Sequence, residues 1–193
     1  MAKFVVITGL DGVGTSTVGK ACVELDTGAV LMRTPAEPFV RFRPEIDVGL
    51  LTSGSTAAHF LFYLASVVDV SAKIDQHLAD SSQNVYCVRY LLDTVVSHRA
   101  DGLQVDLTYD LGFARIRRPD LTVVLGLSET TRQARLRERG KGYLDERLDD
   151  EIRRQRFLSE FKRFGAGLVW IDCDGKSSEH IASDIVGRVR DLK

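Results

Sequence analysis

Short apolar runs alternate with longer amphipathic stretches along the whole chain. Phe4 to Thr8 is rich in β-branched residues and runs into glycines, and Leu121 to Leu127 (LTVVLGL) is a continuous apolar run, the pattern of a strand buried on both faces of a parallel sheet. Three shorter runs, Ala29 to Met32, Val85 to Val88 and Gly167 to Asp172, complete five expected strands, the last with Trp170 expected in the core. Between them the spacing predicts helices at about Thr15 to Leu25, Thr56 to Leu78, Val105 to Ile116, Glu129 to Arg139, Asp145 to Phe164 and Ser178 to Leu192. This alternation implies right-handed crossovers and a parallel sheet covered on both faces, in one doubly wound α/β domain over residues 1–193. No segment repeats, and the prolines Pro35, Pro38, Pro44 and Pro119 are expected to mark loops.

The longest apolar stretch, Ala57 to Val70, is shorter than the roughly 20 residues that span a bilayer, and it carries His59 and Asp69. A membrane span is therefore not expected. The stretch is apolar around most of its circumference, so it is expected to face a deep core or a second copy of the chain, in a homodimer. The start, MAKFVVITGL, has no apolar segment and cleavage site of the secretory kind. With 26 Lys and Arg against 27 Asp and Glu, no bulk charge draws the chain to a nucleic acid polymer or a membrane. A length of 193 residues suits one domain, and 44% apolar with 27% charged residues excludes disorder. Cys22, Cys87 and Cys173 form no CxxC pair, which fits a reducing cytoplasm without a zinc site, and they read as small buried apolar residues.

After the first expected strand comes Gly9-Leu10-Asp11-Gly12-Val13-Gly14-Thr15-Ser16-Thr17 and then a helix. A strand, a glycine loop and a helix N-terminus aim backbone amides at an anion, as the phosphate-loop pattern GxxxxGK[ST] requires. The pattern is met from Gly9 to Gly14 and at Ser16, and it departs at Thr15, where lysine belongs. A second register, Gly14 to Gly19 with Lys20, ends in Ala21 and falls inside the helix, which reads as chance. Thr15 offers a neutral hydrogen bond and no charge, whereas one well-placed cation is worth ~10³ to 10⁵ in the rate of phosphoryl transfer. Another cation must enter the site for transfer to be fast.

FVVITGLDGVGTST resembles the opening of thymidylate kinases. The likeness continues through MRTPAEP (Met32 to Pro38), FLFYLAS (Phe60 to Ser66), VYCVRY (Val85 to Tyr90), RRPDLTVVLGLSETTRQARLRERG (Arg117 to Gly140), Arg147-Leu148-Asp149, and WIDCDG near Asp172. It therefore covers nearly the whole chain. The resemblance implies a three-layer P-loop fold with a five-stranded parallel sheet, helices on both faces and a short lid at about 135–149. It also implies transfer of the γ-phosphate of ATP to the 5′-phosphate of a pyrimidine nucleoside monophosphate, dTMP or a related nucleotide, with Mg2+, in a cytoplasmic homodimer. By the same resemblance Gly9, Asp11, Gly12, Val13, Gly14, Thr15, Ser16 and Thr17 would hold donor phosphates, with Ser16 and Asp11 at the metal. Arg33 and Arg89 would grip the acceptor phosphate, Phe62 would stack on its base, Tyr90 would belong to the acceptor site, and Ser66, also in that site, stands where a base-reading arginine is expected.

No basic residue lies between Gly9 and Gly14, so the lid is expected to supply the transition-state cations from Arg135, Arg137, Arg139, Lys141 and Arg147, with Arg137, Arg139, Lys141 and Arg89 as the catalytic set. The bland reading of that run is a solvated helix face. Three departures sit where the chemistry would be: Thr15 for lysine, Val88 for a carboxylate of the magnesium shell, and Ser66 for arginine. Asp93, five positions after Val88, offers a replacement carboxylate or an exposed aspartate at a helix start, and His98 reads as a surface residue. Two alternatives stay open beside the kinase: a nucleotide-binding homologue with little or no transfer, and a phosphotransferase for another small acceptor.

Overall fold

The computed structural model describes every residue except Ser81, Ala166 and Lys193. In chain order the elements are β1 (Phe4–Gly9), α1 (Thr15–Leu25), β2 (Val30–Arg33), α2 (Phe39–Thr52), α3 (Thr56–Asp80), β3 (Val85–Val88) and α4 (Leu91–Ala100), followed by β4 (Leu121–Gly126), α5 (Glu129–Arg139), α6 (Tyr143–Arg147), α7 (Glu151–Arg163), β5 (Leu168–Asp172) and α8 (Ser178–Arg190). The five strands form one parallel sheet in the order β2-β3-β1-β4-β5. This is the expected α/β, five-stranded P-loop architecture.

The period-two geometry of a strand divides the core. In β1, Val5 and Ile7 point to a cluster with α1, α7 and α8, while Phe4 and Val6 point to one with α3 and α4. Cys22, Cys87 and Cys173 are buried free thiols, as expected.

Four expectations are corrected. Residues Val105 to Ile116 form no helix. Val105, Leu107, Tyr109 and Leu111 alternate onto the α3–α4 cluster, and the chain turns at Gly112 (φ 78°), with Asp110 bridging to Arg115. The apolar period there is 2, not 3.6. The segment expected as one helix from Asp145 to Phe164 is two, because Asp150 accepts from the amides of Ile152 (2.9 Å) and Arg153 (3.4 Å) and starts α7 afresh. Pro44 lies inside α2 rather than in a loop; this helix lies on the surface, with only Asp47 buried. Trp170 is 41% exposed on the edge strand β5, touching Phe161 edge-on instead of filling the core.

Helices α2 and α4 carried no legible period. In α4 most residues are buried, Asp93, Thr94 and His98 among them, so no polar face marks it as a helix. Helix α3 is long and apolar enough in composition to cross a bilayer, yet its inward face (His59, Ser66, Val67, Val70, Ser71, Ile74) is built into the protein. Its outer face leaves Leu61 60% exposed.

Candidate active site

Strand β1 lies between β3 and β4, where the sheet order reverses, and such a point opens a crevice at the carboxyl ends of the strands. A cavity of about 1170 Å³ occupies it. That exceeds the ~300–1,000 Å³ of a pocket for one small ligand and suits two substrates. The loop after β1, the loop after β2, the start of α4, the α5–α6 segment and the turn before α8 all line it.

Gly14 begins α1 with φ 100°, a left-handed conformation open to glycine, and the first-turn amides that follow have no acceptor within the helix. Asp11, Gly12, Val13, Gly14, Thr15, Ser16 and Thr17 line the cavity, with Thr15 buried and the Ser16 and Thr17 side chains exposed. Gly9 does not line it. Helix α5 supports the loop from behind: Arg132, fully buried, donates to the Asp11 carbonyl at 2.9 Å, and its Cγ lies 3.1 Å from where a side chain on Gly12 would begin. Arg135 donates to the Val13 carbonyl at 3.1 Å, which places a guanidinium against the loop that lacks a lysine.

Arg89 adopts φ 64° just after β3 and bridges two carboxylates. Its Nη2 donates to Asp11 Oδ1 at 2.7 Å and its Nη1 to Asp93 Oδ1 at 2.9 Å. Burial works against the Arg89 charge, but the two carboxylates outweigh it and hold the guanidinium ionised. Burial likewise raises Asp11, and Arg89, Arg43 and Arg139 overcome it, so its carboxyl sits below the usual range. Asp93 is buried, not exposed: it also takes the Thr8 hydroxyl and the Tyr90 amide (3.0 Å), so its acceptor positions serve to fix Arg89. Val88 packs against Gly19 of α1.

The other expected residues divide. Arg33 and Arg139 line the cavity, and Arg139 also binds Asp145 at 2.7 Å. Arg137 and Lys141 do not line it; Lys141 is held by Asp149 at 2.7 Å. Tyr90 is buried edge-on to Phe4, and the Ser66 hydroxyl is buried without a hydrogen-bond partner. Phe62 packs on Phe39 and Tyr63 and does not reach the cavity. Residues 59 and 63 share a helix face whose centre is about 80° from residue 62, and that face of α3 presents His59 and Tyr63 to the cavity.

Sequence reading missed this wall. Arg43 Nε donates to Asp47 Oδ2 (3.1 Å) and to the Tyr63 hydroxyl (2.9 Å), which leaves its Nη atoms toward the cavity. Tyr63 donates to Asp47 Oδ1 (2.8 Å), and His59 and His98 join the same cluster. His98, 2% exposed, is a wall residue and not a surface one. The available signals were the i, i+4 pairs Arg43/Asp47 and His59/Tyr63, polar residues at helical spacing on one face.

A family model described as thymidylate kinase matches residues 7–185. Two curated relatives, each named a probable thymidylate kinase, come from Methanococcus maripaludis strains C7 and C6. They are 25% and 24% identical, in each case over 99% of this chain and 96% of theirs. The solved thymidylate kinase from Candida albicans, whose structure is described as revealing the origin of broad substrate specificity, superposes with a TM-score of 0.74. It is 18% identical, over 98% of this chain and 92% of its own. With the phosphate loop, the strand order and the cavity in place, the family match over almost the full length identifies this chain as a member of the thymidylate kinase family.

Proposed function

We propose that the protein transfers the γ-phosphate of ATP to the 5′-phosphate of thymidine monophosphate. The observation that carries this reading is one cavity lined both by a glycine loop and by Arg33, Arg43 and Arg89. Phosphoryl transfer asks a protein chiefly to position two phosphates and neutralise them, and this arrangement supplies both functions. The loop residues Asp11 to Thr17 would hold the donor, and the three arginines the acceptor phosphate. Arg135 and Arg139 would bring the charge that Thr15 omits. Tyr63, rather than Phe62, is the aromatic ring available to the acceptor base.

Among the described residues no cluster of three or more His, Cys, Asp or Glu is arranged to hold a metal. Mg2+ commonly takes one or two protein oxygens and completes its shell with phosphates and water, and the Ser16 hydroxyl and Asp11 carboxylate at the cavity fit that donor set. The ion would supply neutralisation of phosphate charge. We read residues 1–193 as one kinase domain with a lid at about 135–149, in the cytoplasm. The exposed apolar residues Leu61 on α3 and Phe42 and Val48 on α2 support a homodimer through this face.

The test is ADP formation from ATP and Mg2+ across the natural nucleoside monophosphates. Turnover is expected with thymidine monophosphate. Folded protein that turns over none of them would overturn the reading.

A further inference from the structure

A chain of short contacts runs through the cavity wall from α2 to α4. Asp47 Oδ1 lies 2.9 Å from His59 Nε2, His59 Nδ1 lies 2.7 Å from His98 Nε2, and His98 Nδ1 lies 2.6 Å from the Thr94 carbonyl. Both ends of this chain are acceptors. The carbonyl can only accept, so His98 Nδ1 carries a proton. Burial pushes the His98 imidazole down to about 4, which leaves its ring neutral and its Nε2 an acceptor. His59 Nδ1 must then donate. His59 Nε2 must donate as well, because Asp47 already receives the Tyr63 hydroxyl on one oxygen and Arg43 Nε on the other. Three protons on four ring nitrogens satisfy every contact, one more than two neutral rings carry.

We propose that this extra proton is a positioning element for the acceptor site. In its presence the chain ties α2 through α3 to α4, so its loss lets α2, which carries both Arg43 and Asp47, shift from α3, parts Arg43 from the Tyr63 hydroxyl and weakens acceptor binding. Without it, either the contact between the two imidazoles or the one between His59 and Asp47 sets lone pair against lone pair, and the helices must part. The Arg43 side chain is set by both helices, since its Nε is bound by Asp47 one turn along α2 and by Tyr63 across on α3. The charged and titratable groups facing the pair are Arg43 and Asp47 from α2, Tyr63 from α3, Asp101 at the end of α4, and Arg147 and Arg153, which both bind Asp101. Asp47, His59 and His98 are thus positioning residues for the reaction proposed above, and the inference rests on that reading.

The experiment measures KM for thymidine monophosphate, KM for ATP and kcat between about pH 5 and 9, in the native protein and in His59→Gln. Glutamine keeps one donor toward Asp47 and has no titration. In the native protein the acceptor KM is expected to rise by up to ~10-fold per pH unit once the proton leaves, with smaller changes in ATP KM and kcat. In His59→Gln the acceptor KM is expected to be raised already at low pH and to lack this slope. The titration of the substrate phosphate is common to both proteins and cancels in the comparison. Nitrogen-15 spectra of the histidine side chains, in folded protein without substrate, count the protons directly. Superimposable pH profiles, or two neutral rings at pH ~6, would overturn the proposal. If no monophosphate is turned over, the kinase reading fails. The positioning role is then decided by the pH slope of thymidine monophosphate binding in calorimetry, where a flat slope with the proton count intact would also overturn it.

Discussion

Arg89 Nη2 lies 2.7 Å from Asp11 Oδ1 and ties the end of β3 to the phosphate loop. The partner carboxylate Asp93 holds the other side of the same guanidinium, so Arg89 is fixed in direction before any substrate arrives. An acceptor phosphate would take the position of Asp11 at Nη2 while Asp93 keeps its grip.

Arg89→Lys tests this directly. A lysine is a point charge and cannot bridge Asp93 and a phosphate as a planar fork does. A charge-assisted hydrogen bond contributes about 1.5–3 kcal/mol, so kcat/KM for the acceptor is expected to fall ~10- to 150-fold. Steady-state kinetics with an unchanged circular dichroism spectrum checks it.

Arg135 occupies the surroundings of the absent lysine, 3.1 Å from the Val13 carbonyl. Arg135→Ala is expected to lower kcat by ~10²-fold or more, the scale for removing one preorganised donor from a transition state. Adding Thr15→Lys to that variant is expected to recover much of the loss. An unchanged kcat in Arg135→Ala would assign the role to a different cation.

Acid should destabilise the fold through two groups acting in the same direction. The folded His98 value is pushed below its ordinary ~6.5 to about 4, so its contribution is complete above the ordinary value and is lost as pH falls toward and through about 4. Asp11, depressed below 3.8, adds stability present above that value and lost at lower pH, as it is protonated in the folded state. The unfolding free energy is expected to decline on acidification from pH ~6.5, at up to about 1.4 kcal/mol per pH unit for each proton, and Tm with it. His98→Gln should flatten the upper part of that decline. Thermal denaturation across the range reads both.

The cysteines should be silent in the native state. Cys22 and Cys87 are fully buried, and burial raises both thiols, Cys22 to about 12, so little thiolate forms and reagents lack access. Alkylation is expected to be negligible in the folded protein and to reach all three sites, Cys22, Cys87 and Cys173, in denaturant. Fast labelling without denaturant would show that the core around β3 opens readily.

The strands and the phosphate loop were legible because their signals are local: β-branched runs, and glycines between a strand and a helix. Helix α4 was not, since burial on all sides erases the polar face that marks a helix, and α2 was hidden by Pro44. At the site, Arg33 and the loop were placed by sequence, whereas Phe62 and Tyr63 are adjacent in sequence and only the rotation of α3 decides which one faces the cavity. Arg43, Asp47, His59 and His98 form a cluster from three helices: i, i+4 spacing marks single faces such as Arg43/Asp47, and only the fold brings those faces together.

Several cations around the cavity are already paired with carboxylates. Arg89 holds Asp11 and Asp93, Arg139 holds Asp145, and Arg147 and Arg153 hold Asp101. A polyanionic nucleotide would therefore meet arginines whose charge is partly offset, and would bind them at close range by exchanging partners with these carboxylates. On departure the same carboxylates close back onto the arginines. Each of these arginines would thus keep a charged partner whether the cavity is empty or filled, which would ease the release of product.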